Sequence, residues 1–313
     1  MRFRPLGSSG LLVSTVGLGC NNFGGRLVLE AARPVINAAL DAGVTLLDTA
    51  DIYGNRGGSE TILGEVLKGR RDEVVLATKW GSEMGTGPGV ARGSRRYIRQ
   101  AVEASLRRLQ TDYIDLYQQH VPDPVTPIAE TLAALDELVD EGKVRYIGSS
   151  NFTGWQLADA DWTARDHRGE RMVSAQNHYS LLVRDVETEV LPACERFGVG
   201  MLPFFPLANG LLTGKYLRGQ APPAGTRLAG RPVDEATYDT LERLSDFAKQ
   251  RGRTLLELAF AGLLARPVVS SVIAGATKVE QVNANINAGE WHLPAEDIAA
   301  LAEVIGGEKV GGR

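Results

Sequence analysis

Cysteine is nearly missing: Cys20 and Cys194 are the 2 in 313 residues. Two thiols so far apart build no disulfide framework and lack the spacing of a zinc site, so a reducing, cytoplasmic setting is expected. Histidine is also scarce, and His167, His178 and His292 are not grouped like metal ligands. Neither sign of charge dominates. With 34 Lys and Arg against 38 Asp and Glu, the formal charge of -4 gives no general attraction to nucleic acid or to an anionic membrane. No apolar run is long enough for a membrane span: the most apolar stretch, 255–265, is interrupted by Glu257. Behind the charged start Met1-Arg2-Phe3-Arg4-Pro5 there is no apolar stretch of secretory length, so no export signal is expected. No linker rich in Pro, Gly and Ser divides the chain, which points to a single domain over 1–313. What remains is an ordinary globular composition, and small molecules are the expected partners.

A rhythm runs through the chain. Short apolar, β-branched runs occur at 13–18, 45–47, 74–78, 114–117, 144–147, 173–175, 200–203 and 271–274. Between them lie segments with apolar residues three and four apart, such as 30–42, 95–109, 127–141 and 186–197. A repeat of about 30 residues is one βα unit, and alternating units demand parallel strands because each helix returns the chain across the sheet. Eight units predict an α/β fold, a single (β/α)8 barrel, with an open doubly wound sheet as the alternative. Two regions break the pattern. Residues 3–13, with Gly7-Ser8-Ser9-Gly10 inside, read as a hairpin that precedes the barrel, and the Gly- and Pro-rich stretch 204–231 is a functional loop between the last two strands.

In such a barrel the reactive groups sit where strands end. The second run ends in Asp48, the third in Lys79, and the fourth leads through Gln118-Gln119 to His120; the fifth enters Ser149-Ser150-Asn151 and the sixth Gln176-Asn177. Tyr53, five residues past Asp48, can fold back over the mouth beside Lys79. A neighbouring ammonium favours the phenolate and is expected to lower the tyrosine pKa below its ordinary value of about 10, while Asp48 neutralises and orients Lys79. His120 adds a second donor, and together these groups make a polarising pocket for a carbonyl oxygen.

Asp48-Thr49-Ala50 with Tyr53-Gly54, Thr78-Lys79, Asp115-Leu116-Tyr117 with His120, Gly142 to Gly148 with Ser150-Asn151, and Leu211 to Tyr216 together resemble the aldo-keto reductases over residues 6–305. The resemblance implies NADPH-dependent reduction of an aldehyde or ketone, and the reverse oxidation, on a (β/α)8 barrel. By that likeness Tyr53 is the general acid, Lys79 tunes it, Asp48 holds Lys79 and His120 orients the substrate oxygen. Trp80, beside Lys79, either lines the substrate site or packs under a loop.

No dinucleotide fingerprint accompanies these residues. Gly17-Leu18-Gly19 lacks the third glycine, and Gly210 to Tyr216 fails as a phosphate loop. The resemblance implies instead an extended coenzyme laid along the barrel rim. Gly19, Cys20 and Asn21 border it, and Ser150, Asn151 and Gln176 hold its carboxamide. Phe204 stands where relatives stack a Tyr or Trp on nicotinamide. Phe205 replaces a frequent Ser and so removes one phosphate contact. Pro206, Leu207, Gly210 and Lys215 cover the pyrophosphate, while Gly275, Thr277, Lys278, Gln281 and Asn285 take the adenosine 2′-phosphate end. Lys278 and Thr277 favour NADPH over NADH. Two further readings follow: a coenzyme-binding regulatory subunit without useful turnover, since potassium-channel β subunits resemble this family, and a Schiff-base aldolase using Lys79.

Overall fold

A computed structural model describes residues 1–85, 87 and 89–306. A two-stranded antiparallel hairpin, β1 (Phe3–Pro5) and β2 (Leu12–Ser14), comes first. Eight parallel strands follow: β3 (Val16–Gly19), β4 (Leu46–Asp48), β5 (Val75–Trp80), β6 (Ile114–Gln119), β7 (Val144–Ser150), β8 (Ser174–His178), β9 (Gly200–Phe204) and β10 (Val272–Gly275). They pair in chain order, with β10 against β3. The ring is completed beside β9, where Met201 donates to Val268 O and Ser270 donates to Met201 O. This is the (β/α)8 barrel expected from the rhythm of the sequence.

The helices form the outer ring: α1 (Leu29–Asp41), α2 (Tyr53–Val66), α3 (Arg95–Leu109), α4 (Ile128–Asp140), α5 (Gly154–His167), α6 (Val190–Phe197), α7 (Glu235–Lys249), α8 (Leu255–Leu264), α9 (Val279–Ala288) and α10 (Ala295–Val304). Their starts are set by side-chain caps where the sequence offers them. Ser94 accepts from Tyr97 N, and Thr153 with Gln156 and Thr254 with Glu257 form reciprocal capping boxes. No helix among the described residues is long and apolar enough to cross a membrane.

Two sequence expectations need correction. The run 13–18 is two strands, because the chain leaves the hairpin at Ser14 and enters the barrel at Val16, with Thr15 N donating to Arg2 O at the corner. The helix expected over 186–197 begins as a single 3-10 turn, Asp185–Glu187, and becomes α-helical only from Val190.

Hairpin and barrel interior meet in one apolar cluster. Leu6 and Val13 pack with Leu46, Ala77, Leu116, Leu202 and Ile273, which fill the lower barrel. The lower interior is therefore a packed core, and the ionisable side chains of the barrel mouth, Asp48 and Lys79, lie towards the strand C-termini. A 3-10 segment, Ala208–Thr213, lies between β9 and β10 within the stretch 204–231 that the sequence marks as irregular, and α7 follows beyond that stretch, from Glu235.

Candidate active site

Side chains alternate along a strand, so Lys79 shares the interior face with Ala77 while its neighbours Thr78 and Trp80 face the helices. Lys79 is fully buried. Its Nζ lies 2.8 Å from Asp48 Oδ2 and donates to Thr49 O at 2.9 Å. Asp48 is held from the other side as well: Gln176 Nε2 donates to its Oδ1 at 2.8 Å and Gln118 Nε2 approaches at 3.4 Å. Ser174 Oγ in turn donates to Gln118 Oε1. Asp48 and Lys79 are thus a desolvated ion pair with further hydrogen bonds, the condition under which burial of charge is tolerated. Burial alone would depress the Lys79 ammonium, but Asp48 and Tyr53 outweigh it and hold its pKa above the ordinary lysine value.

Tyr53 opens α2, and its ring centroid is 5.0 Å from Lys79 Nζ. The chain makes a left-handed turn immediately after it, through Gly54, Asn55 and Arg56. Gly54 is required there, since a Cβ would stand 2.3 Å from Phe23 O. His120 meets Tyr53 edge to face, with ring centroids 5.7 Å apart. Ser82 Oγ lies 3.0 Å from His120 Nδ1; with that hydroxyl donating, the ring carries its proton on Nε2. Burial, with Lys79 adding to it, pushes the His120 pKa down to about 3, so the imidazole is a neutral donor at physiological pH.

The tyrosine does not follow the sequence expectation. Its pKa is raised above the ordinary value, because burial outweighs the lowering by Lys79 and Asp48 adds to the rise. Burial, which a reading of charge order alone leaves out, is the largest of these influences. The Tyr53 phenol is consequently protonated at neutral pH.

A cleft of about 820 Å³ opens above these groups and extends along the rim. Asp48, Tyr53 and His120 line it, as does every residue the sequence placed around a coenzyme, from Gly19, Cys20 and Asn21 to Gln281 and Asn285. Lys79 lies beneath its wall. Gln176 and Asn151 each commit an amide NH2, to Asp48 Oδ1 and to His120 O, which leaves their carbonyl oxygens for a ligand. Trp80 is the exception among the predicted site residues. It is completely buried and stacks on Tyr117 at 4.4 Å in the layer between strands and helices, so it cannot touch a substrate; the alternation that points Lys79 inward points Trp80 outward.

Sequence reasoning missed Arg26 and Arg227, both on loops without periodicity. Four cations, Arg26, Lys215, Arg227 and Lys278, line the cleft. None of them forms a salt bridge among the described residues, and Glu280 and Asp48 are the carboxylates on the same wall. The signals were present as Gly24-Gly25-Arg26 and as Gly225-Thr226-Arg227, glycine-flanked arginines in irregular segments.

Behind Tyr53, Asp51 is a second buried carboxyl, 1% exposed, with Oδ1 unpartnered. Its neighbour Glu60 is satisfied by Arg108 and by Thr78 Oγ1. Burial, and then the charge of Glu60, push the Asp51 pKa up to about 7. The folded chain therefore holds a proton that the unfolded chain releases near pH 4. The stability this contributes is present in full below about pH 4 and is lost as pH rises through 7. Asp51→Asn removes the titration. In urea denaturation its stability should gain on the wild type by roughly 3 kcal/mol between pH 4.5 and 8. Parallel pH dependence of the two proteins would refute the assignment.

A buried Asp-Lys pair, a tyrosine and a neutral histidine thus stand together at the mouth of a parallel eight-stranded barrel. The chain belongs to the aldo/keto reductase family, whose model matches residues 15–305. It is 42% identical over 98% of its length to the uncharacterized oxidoreductase YrpG of Bacillus subtilis (strain 168), covering 97% of that protein. It is 37% identical to a probable voltage-gated potassium channel subunit beta of Arabidopsis thaliana, over 92% of this chain and 91% of the relative. It is 35% identical to the L-glyceraldehyde 3-phosphate reductase of Escherichia coli (strain K12), over 92% of this chain and 87% of the relative. These likenesses support carbonyl reduction as the general activity.

Proposed function

We propose that this chain reduces an aldehyde or ketone with NADPH, and that Asp48, Tyr53, Lys79 and His120 are its catalytic machinery. The observation that carries the reading is a phenol seated against a buried ammonium in a cleft lined by four cations that form no salt bridge among the described residues. A dinucleotide with a 2′-phosphate carries about four negative charges, and the four cations match it. Lys278 and Thr277 open α9, where free backbone N–H groups add to the attraction for phosphate. Lys215, under the Ala208–Thr213 turn, suits the pyrophosphate, and Phe204 offers a flat apolar face to the nicotinamide.

When bound, the coenzyme supplies hydride to the carbonyl carbon. The chain does the rest. Nε2–H of neutral His120 and the Tyr53 hydroxyl both donate to the carbonyl oxygen and fix its position, and charge developing on that oxygen is met by donors already in place. Tyr53 then delivers its proton to that oxygen. The phenolate left behind faces the Lys79 ammonium until a proton from solvent restores it. Asp48 keeps Lys79 charged and still. A Schiff base at Lys79 is disfavoured, because that amine is charged, fully buried and bound to Asp48 and Thr49 O.

The test is NADPH consumption over aldehydes, ketones and sugars, with glyceraldehyde and its 3-phosphate included on account of the Escherichia coli relative. Lys278→Met should weaken NADPH about tenfold and leave NADH almost unchanged, the loss of one charge-assisted contact. Equal effects on both coenzymes would refute the role given to Lys278. The likeness to the plant channel subunits sustains a second reading, a coenzyme-binding subunit; NADPH binding without turnover across the whole panel would favour it.

A further inference from the structure

Phe205 has left-handed backbone, φ 51, where a bulky side chain is an outlier and where Gly or Asn is ordinary. Strain of this kind persists only where the surroundings hold it, and it concentrates at ligand clamps. The surroundings here are aromatic. Phe205 meets Phe204 edge to face at 5.3 Å and His178 edge to face at 5.7 Å, while His178 and Phe204 stack in parallel at 5.4 Å. The Arg227 guanidinium lies over the Phe205 ring, 5.3 Å from its centroid. From there Arg227 Nη2 reaches across the cleft to Asn21 Oδ1 at 3.4 Å, and Arg26 Nη2 reaches back to Gly225 O at 3.0 Å. Neither arginine pairs with a carboxylate among the described residues.

We propose that Phe205 is a positioning residue: its ring is the shelf that aims Arg227 across the cleft at a phosphate of the coenzyme. The Phe205 side chain has no polar group to offer a phosphate, so it acts through the guanidinium, by cation–π contact and by limiting its rotamers. The inference rests on the NADPH reading above.

A double-mutant cycle on the full chain tests it, with NADPH as the probe and coenzyme fluorescence as the readout. Phe205→Leu should weaken NADPH about fivefold, the worth of one cation–π contact. Phe205→Tyr, which keeps the shelf, should stay within about twofold of wild type. In an Arg227→Met background Phe205→Leu should cost nothing further, because the group it positions is gone. Additive effects of the two substitutions, or equal losses with Leu and Tyr, would overturn the proposal while leaving the coenzyme reading intact. Failure of the wild type to bind NADPH would overturn both.

Discussion

Tyr53→Phe is expected to lower the rate of carbonyl reduction by roughly a thousandfold and to leave NADPH affinity within about twofold of wild type. The substitution deletes one hydroxyl and keeps the ring that packs edge to face against His120. Loss of a positioned general acid costs about 4 kcal/mol of transition-state stabilisation at that rate ratio. The coenzyme's phosphates would be held elsewhere along the cleft, by Lys215, Arg227 and Lys278, so binding is spared. The pH profile adds a second check. Because burial first, and Asp48 after it, hold the phenol above its ordinary value, reduction by the wild type should show no alkaline decline from Tyr53 below about pH 10. His120, neutral down to about 3, should contribute no decline on the acid side above pH 5. Single-turnover rates with an aromatic aldehyde, beside a fluorescence titration of NADPH, measure both quantities. A variant that reduced the aldehyde as fast as wild type would remove Tyr53 from the chemistry.

Much of this site was legible because strand periodicity is rigid. Once eight parallel strands were inferred, the residues ending them had to stand at one level, and Asp48, Lys79 and Gln176 do so through direct hydrogen bonds. The same alternation should have removed Trp80 from the candidates, since a residue adjacent to an inward-facing lysine on a strand faces outward. Gln118, one strand from Lys79 and paired with it in register, was legible on the same ground. Arg26 and Arg227 were harder to find. They reach the cleft from irregular segments, where side-chain direction follows left-handed turns and long-range contacts that no periodic pattern encodes. The Tyr53 pKa failed for another reason: the order of charges is readable in sequence, but desolvation depends on how deeply the ring is packed. The split of 13–18 into two strands hinged on a single corner at Thr15, too short for an apolar pattern to register.

The buried pair yields the other large effect, on stability and activity in different patterns. Lys79→Met leaves Asp48, 3% exposed, with Gln176 and Gln118 as donors and no counter-ion. Breaking a buried pair from one side costs about 3–5 kcal/mol, because the remaining charge stays desolvated. Asp48→Asn should cost a similar amount, through an ammonium that burial alone disfavours. The double variant Asp48→Asn/Lys79→Met removes both charges together and should be more stable than either single variant, by roughly 2 kcal/mol in urea denaturation. Activity should not recover with it. Lys79 lowers the Tyr53 pKa, so its loss moves the phenol further upward and withdraws the cation that faces the phenolate after proton transfer. Reduction should fall about a hundredfold or more in both variants lacking Lys79, and alcohol oxidation, which needs the phenolate, should fall further still. A merely structural pair would regain activity along with stability in the double variant. Restored stability with persistent loss of turnover separates the fold-supporting role of the pair from its action on Tyr53.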